Sequence, residues 1–85
     1  MVFTLAGQEY RLSKEEVERA MGGVQPNRGK YLFVVVNGQK YPPGQVLYYS
    51  LRRQSIGLSL ADFSNDAAKN ILEQIGFELI TDGEN

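Results

Sequence analysis

The side chains best suited to chemistry in this sequence are cations and tyrosines in its middle third. Six basic residues and no acidic one occur between Arg19 and Ala61. Four tyrosines lie in the same part of the chain, at positions 31, 41, 48 and 49. Interleaved aromatic and cationic side chains can stack on bases while they neutralise phosphates. The pattern predicts a nucleic-acid-binding surface, with DNA as the expected partner, whose residues are Arg28, Lys30, Lys40, Tyr48, Tyr49, Arg52 and Arg53.

A structural interpretation of the same residues stays open at this point. The segments on either side are acidic, with four acids against two bases up to residue 18 and six acids against one base from residue 62 onward. Folding can mix these segments into a neutral surface, because the net charge is only −1. Tyr31 and Tyr41 can also face each other across a hairpin. Arginines at the end of a helix, such as Arg52 and Arg53, complement the helix dipole.

Catalysis is not expected from these residue types. Histidine and cysteine are both absent from the 85 residues, which removes the commonest general base, the commonest metal ligand and the usual nucleophile–base pairs. Glu15, Glu16 and Glu18 lie in the first turns of a predicted helix, where acids stabilise the dipole. The glycines match neither the phosphate loop nor the dinucleotide fingerprint. The sequence predicts no enzyme, no metal, no cofactor and no small-molecule substrate.

Composition is typical of a globular domain, with 42% apolar and 22% charged residues. Residues 1–81 are predicted to form a single α+β domain, followed by a frayed tail at 82–85. No apolar run approaches the roughly 18 to 20 residues that span a bilayer, and no signal-peptide pattern is present. We therefore expect a cytoplasmic protein with no membrane partner.

The N-terminal third predicts a hairpin and a short helix. Alternating segments at 2–5 and 9–12 are separated by Ala6-Gly7-Gln8. Ser13 and Glu16 have the spacing of a capping box, so a helix begins there. Gly22-Gly23 ends it, since glycine accepts the left-handed conformation after a last turn.

The middle third predicts a hairpin that turns directly into a helix. Residues 31–36 (YLFVVV) are almost continuously apolar, which indicates a strand covered on both faces at the centre of its sheet. Asn37 and Gly38 supply the two positive φ angles of a type I′ turn before a strand that ends at Tyr41. Pro42 stops that strand, and Pro43 has φ preset for the first turn of a helix that extends to about Arg53.

The last third predicts a helix and a final strand. Residues 54–63 are expected to connect the helices, with Ser64 as the next cap. Gly76 closes the last helix, and Phe77 begins a strand that ends at Thr81. The fold class is therefore α+β: a small antiparallel sheet, built on a β-hairpin, with three helices packed against it.

Asn70 is the one residue of the last helix that helix formation does not explain. Asparagine inside a helix is disfavoured against alanine by a few tenths of a kcal/mol unless its amide is used. We expect it to hydrogen-bond the Tyr41-Pro42-Pro43 corner and so tie the last helix to the middle one.

Two motifs together resemble the N-terminal head module of McrA-like, modification-dependent HNH restriction endonucleases and of short bacterial relatives. The first is KYLFVVVNGQKYPPGQVL at 30–47, which carries Asn37, Gly38, Tyr41, Pro42 and Pro43. The second is FSNDAAKNILEQIGFEL at 63–79, which carries Asn70, Gly76 and Phe77. With SKEEVERAM at 13–21 in the place of the family's first helix, the resemblance covers about 65 of the 85 residues. It implies a module that helps to engage DNA, while the nuclease chemistry lies in other domains. Gly44 stands where the family often has lysine, so no phosphate contact is expected there.

The alternative function is a protein-interaction or oligomerisation module, in which the tyrosines with Leu58 or Leu60 dock another domain or a second copy. An inhibitor of a bacterial or phage enzyme also fits the acidic total charge, although no particular residue supports it.

Overall fold

The computed structural model describes residues 1–5, 7–28, 32–52 and 64–81. Within these ranges the chain forms five strands and three helices: β1 (Val2–Leu5), β2 (Gln8–Arg11), α1 (Lys14–Ala20), β3 (Leu32–Val36), β4 (Gln39–Tyr41), α2 (Pro43–Leu51), α3 (Asn65–Ile75) and β5 (Leu79–Thr81). Two antiparallel sheets result, β1-β2 and β4-β3-β5. The predicted α+β class is confirmed, with two small sheets in place of one.

The first hairpin and helix follow from local sequence signals. Leu5 pairs with Gln8, so the hairpin turn is one residue shorter than Ala6-Gly7-Gln8 suggested, and Gly7 has φ +80°. The Glu16 amide donates to the Ser13 hydroxyl (3.2 Å), and the Ser13 amide donates to a Glu16 carboxylate oxygen (2.9 Å). The predicted capping box is therefore present at the start of α1.

The central hairpin also forms as predicted. Asn37 and Gly38 have φ of +52° and +79°, and Val36 pairs with Gln39. β3 lies between β4 and β5, which confirms its central position. The structural alternative in which Tyr31 faces Tyr41 does not hold, because the register places Val34 opposite Tyr41; Tyr31 itself lies outside the described residues.

The double proline converts strand into helix within two residues. Pro42 is extended (φ −60°, ψ 137°) and Pro43 begins α2. The helix ends at Leu51, two residues before the predicted Arg53, which lies outside the described residues together with the whole segment 54–63. One face of α2 packs inward: Pro43, Val46, Leu47 and Leu51 are buried, and Ser50 is half-buried.

α3 has the predicted cap and ending. The Ser64 hydroxyl accepts from the Ala67 amide at 3.2 Å. At the other end Gly76 has φ +122°, and the Phe77 amide donates to the Leu72 carbonyl at 3.1 Å, which is the long bond of a Schellman ending. β5 then begins at Leu79, later than the predicted Phe77. Phe77 is buried in the core instead.

One hydrophobic cluster joins both sheets and all three helices. Its members come from β1 and β2 (Phe3, Tyr10), α1 (Val17), β3 and β4 (Val34, Val36, Tyr41), α2 (Val46, Leu47, Leu51) and α3 (Ala68, Ile71, Leu72), with Leu12, Met21 and Phe77 between elements. Because each fully buried aliphatic side chain contributes about 1.5–3 kcal/mol, this cluster fixes how the helices meet. It therefore sets how α1 and α2 lie beside each other, which matters for the groove described below.

Candidate nucleic-acid interface

The loop after α1 is held against the start of α2 by buried side chains. Gln45 is 2% exposed, and its amide uses both polar atoms: Nε2 donates to the Gln25 carbonyl and Oε1 accepts from the Asn27 amide, each at 2.8 Å. The fully buried Tyr41 donates its hydroxyl to the Val24 carbonyl at 2.8 Å. Residues 24–27 do not belong to a sheet, so these three side-chain bonds satisfy backbone groups that strand pairing would otherwise satisfy. The loop therefore has a defined path.

Arg28 follows a residue that is bonded to the first turn of α2, and Lys40 lies on β4, three residues before α2 begins. Arg28 directly follows Asn27, whose amide is bonded to Gln45 in the first turn of α2. Lys40 precedes Tyr41 on β4, pairs with Val35, and is exposed. Since neighbouring strand residues point to opposite faces, burial of Tyr41 turns Lys40 outward. Arg28 is exposed as well.

Arg52, Tyr49 and Tyr48 are in contact at the other end of α2, and we call the first two the Tyr49–Arg52 stack. The Arg52 guanidinium carbon lies 4.7 Å from the centre of the Tyr49 ring. The Tyr49 and Tyr48 ring centres are 5.4 Å apart, edge to face at 82°. Arg52 is exposed, whereas both tyrosines are half-buried and pack on the core. The core therefore holds the rings while the cation remains at the surface.

A groove lies between α1 and the C-terminal half of α2; we call it the α1–α2 groove. Its volume is about 460 Å³. The α1 side and the following loop contribute Glu16, Arg19, Ala20, Gly22 and Val24, and α2 contributes Tyr49, Ser50 and Arg52. The Tyr49–Arg52 stack thus forms one wall of a depression that a second guanidinium, Arg19, also lines.

Two polar groups in this groove, the Glu16 carboxylate and the Ser50 hydroxyl, have unusual hydrogen bonding for surface side chains. The Glu16 carboxylate is held by the Ser13 amide, so its position is fixed by the capping box. The Ser50 hydroxyl oxygen is buried and has no hydrogen-bond partner. Every other buried side-chain nitrogen or oxygen in the described ranges has a partner. Buried polar atoms in native proteins are nearly always bonded, so an exception calls for an explanation.

The predicted interface residues divide into three groups. Arg28 and Lys40 lie near the start of α2, and Tyr48, Tyr49 and Arg52 lie at its end. Lys30 and Arg53 lie outside the described residues. Pro43 and Arg52 are separated by about 13 Å along the helix axis, at about 1.5 Å per residue. The described cations therefore fall into two sets, which we call clusters by their position toward the two ends of α2, and they do not form one patch.

Sequence reasoning missed Glu16, Arg19 and Ser50 as members of a site. Arg19 was counted among the six bases of the middle third but was not selected, and Ser50 gave no signal of a binding role. Recognising them together required knowing that α1 packs beside α2. No signal in the sequence specifies that contact.

The predicted role of Asn70 was wrong. Asn70 is exposed on α3. The tie from α3 to the proline corner is made by Asn65, whose Oδ1 accepts from the Gly44 amide at 3.1 Å. Asn37 also has a role beyond its turn, because its Nδ2 donates to the Glu18 carbonyl at 2.9 Å and joins the hairpin to the last turn of α1.

Neither a metal site nor a membrane span is found in the part of the chain that the structure describes. No group of three or more acidic side chains there could hold a metal ion. No helix within the same ranges has the length and apolar character to cross a bilayer.

Comparison with known proteins adds no assignment: the chain matches no family model, no curated protein and no solved structure.

Proposed function

We propose that this chain is a non-catalytic accessory domain that binds DNA weakly, along α2, in the cytoplasm. The nucleic acid contacts Arg28 and Lys40 near the start of the helix and the Tyr49–Arg52 stack at its end. Lys30 and Arg53, which neighbour these clusters in sequence, are included in the proposal.

The Tyr49–Arg52 stack carries the proposal. A guanidinium 4.7 Å from a ring centre adds a second planar group beside the aromatic face. Single-stranded nucleic acid is bound by such surfaces, because bases stack on aromatic and guanidinium planes while cations neutralise phosphates. Each base–aromatic stack is worth about 1–3 kcal/mol.

The spacing of the two clusters supports the same function. A separation of about 13 Å corresponds to about four nucleotides of a stacked strand, at the axial rise of about 3.4 Å per nucleotide that one strand has in a duplex. A short strand laid along α2 would therefore bring phosphates to Arg28 and Lys40 and a base to the Tyr49–Arg52 stack. The resemblance to the head module of McrA-like endonucleases agrees with a DNA-engaging role without catalysis, since in that family the nuclease lies elsewhere.

Fluorescence anisotropy with labelled single-stranded and duplex DNA tests the proposal at about 50 mM salt, where electrostatic binding is strong. We expect micromolar affinity that falls with added salt. Arg52→Gln and Tyr49→Leu should each weaken binding several-fold. Arg11→Gln, which removes the same charge from β2, should leave binding nearly unchanged. Absence of binding to either DNA at micromolar protein would reject the function.

The alternative, a protein-interaction or oligomerisation module, is supported by no particular contact. In the described ranges the large apolar side chains that are exposed are Met1 and Val2, at the start of β1. Docking faces are normally larger apolar patches. Leu58 and Leu60 lie outside the described residues. Light scattering after size exclusion distinguishes the two functions, since a stable dimer that fails to bind DNA would favour the alternative.

A further inference from the structure

We infer that the α1–α2 groove holds a single unstacked nucleobase and prefers guanine. This inference rests on the proposed function and specifies which part of the nucleic acid the groove takes.

The size of the groove suits one base with its sugar. At about 460 Å³ it falls in the range of small-ligand pockets, about 300–1,000 Å³. The groove is open because small residues line it where the two helices meet. These are Ala20 and Gly22 on the α1 side and Ser50 on α2. A duplex cannot enter a depression of this size, whereas a base turned out of its stack can.

The charges of the groove suit an uncharged ligand with a polar edge. Arg19 and Arg52 each contribute one positive charge, and Glu16 contributes one negative charge. Both arginines lie at helix C-termini, each of which carries about half a negative charge. These positive and negative charges nearly cancel, so the groove has little net charge. It still offers hydrogen-bond donors from the arginines and acceptors from Glu16. A phosphate gains little there, but a nucleobase can use both kinds of group.

Guanine matches this set of groups best. Its O6 and N7 are both acceptors, which is the pair that arginine recognises with two parallel bonds. Its N1 and N2 hydrogens are donors on the adjacent Watson–Crick edge, suited to a carboxylate such as Glu16. The Glu16 oxygen that accepts from Ser13 leaves the second oxygen and further lone pairs available. Adenine presents an amino donor in the place of O6, which faces a guanidinium unfavourably.

The Ser50 hydroxyl supplies the second, independent observation. It is buried beside the groove without a partner. Ser50 is half-buried and has one side-chain torsion, so a change of rotamer is enough to turn the hydroxyl toward a bound base. A group retained for binding would explain why a helix position that favours alanine carries a serine.

Ser50→Ala separates a binding role from a structural one. Removing an unpaired buried hydroxyl should raise the urea midpoint of unfolding or leave it unchanged. The same change should weaken binding of a guanine-containing strand several-fold. A loss of stability with unchanged binding would show that the hydroxyl is a structural group and overturn its part in the inference.

Base preference is tested with a thymidine strand of about twelve nucleotides, in the size range that one small domain covers. A single central guanine should tighten binding about tenfold, as one bidentate contact does. An abasic site at that position should remove the gain. Glu16→Gln should also remove it while keeping the helix intact, because glutamine still completes a capping box.

The outcomes distinguish the inference from the proposed function. Equal binding of all strands, unaffected by Ser50→Ala and Glu16→Gln, would overturn the base pocket and leave DNA binding standing. Binding of guanosine monophosphate by titration calorimetry without binding of any strand would support the pocket and reject the DNA function. Failure of both ligands would overturn both.

Discussion

At the scale of single residues, two buried polar side chains on the corner between β4 and α2 set the path of the loop that carries Arg28. Tyr41 and Gln45 reach the loop from inside the core. Their polar atoms are paired, so the bonds are favourable and also exclude alternative loop paths. The position of a candidate interface cation thus depends on groups that never contact the ligand.

Tyr41→Phe should destabilise the domain by about 1 kcal/mol, because it removes the bond to the Val24 carbonyl and adds no compensating contact. Urea unfolding followed by circular dichroism measures the change. Tyr10→Phe is the matched control: its hydroxyl donates at 3.1 Å to the side chain of the exposed Gln8, which water can solvate instead. If Tyr41→Phe and Tyr10→Phe lowered the free energy of unfolding equally, the bond from Tyr41 to the Val24 carbonyl would contribute no more than an ordinary surface hydrogen bond.

Residue roles were predictable where the relevant partner is near in sequence. The Ser13–Glu16 pair, the Asn37-Gly38 turn and the Gly76-Phe77 ending each form within a few positions, so composition and spacing define them. Gln45 gave no such signal, because its partners lie 18 and 20 positions away. Its burial follows from packing of the whole chain.

At the scale of elements, α2 receives its N-terminal cap from another helix. Its own N-cap, Pro42, makes no side-chain bond to the first turn. Asn65, at the start of α3, accepts from the Gly44 amide and fills that role. The sequence pointed correctly to a tie between the last helix and the proline corner. It selected Asn70 because a helix-interior asparagine looked unexplained, although the tie comes from the first turn of α3.

Asn65→Ala should therefore cost about 1 kcal/mol, as loss of a helix cap usually does. Asn70→Ala should instead stabilise the protein by a few tenths of a kcal/mol, since Asn70 is exposed and alanine is the better helix former. Thermal and urea unfolding of the two variants should shift in opposite directions. Asn65→Asp should retain most of the stability, because its carboxylate still accepts and favours a helix N-terminus. Destabilisation by Asn70→Ala would contradict this assignment.

At the scale of the whole molecule, helix order and strand order were largely readable, but the assembly of the candidate site was not. Apolar periodicity and turn residues define each element locally. The meeting of α1 with α2, which creates the groove, depends on which buried faces fit together. The uneven charge along the chain indicated cations in the middle third. The fold then distributes the described ones to the two ends of α2 and adds Arg19 to one end.

This distribution predicts the salt dependence of DNA binding. If Arg28 and Lys40 each meet a phosphate while Arg19 and Arg52 face a base in the near-neutral α1–α2 groove, the logarithm of the binding constant should fall with the logarithm of salt at a slope of about −1.4, at about 0.7 per phosphate of a single strand. The double variant Arg28→Gln/Lys40→Gln should remove most of this slope, because it removes the two cations that are expected to meet phosphates. Guanine preference should persist in that variant, since the α1–α2 groove is untouched. An unchanged slope would mean that the strand does not extend along α2 and that binding is confined to the Tyr49–Arg52 end.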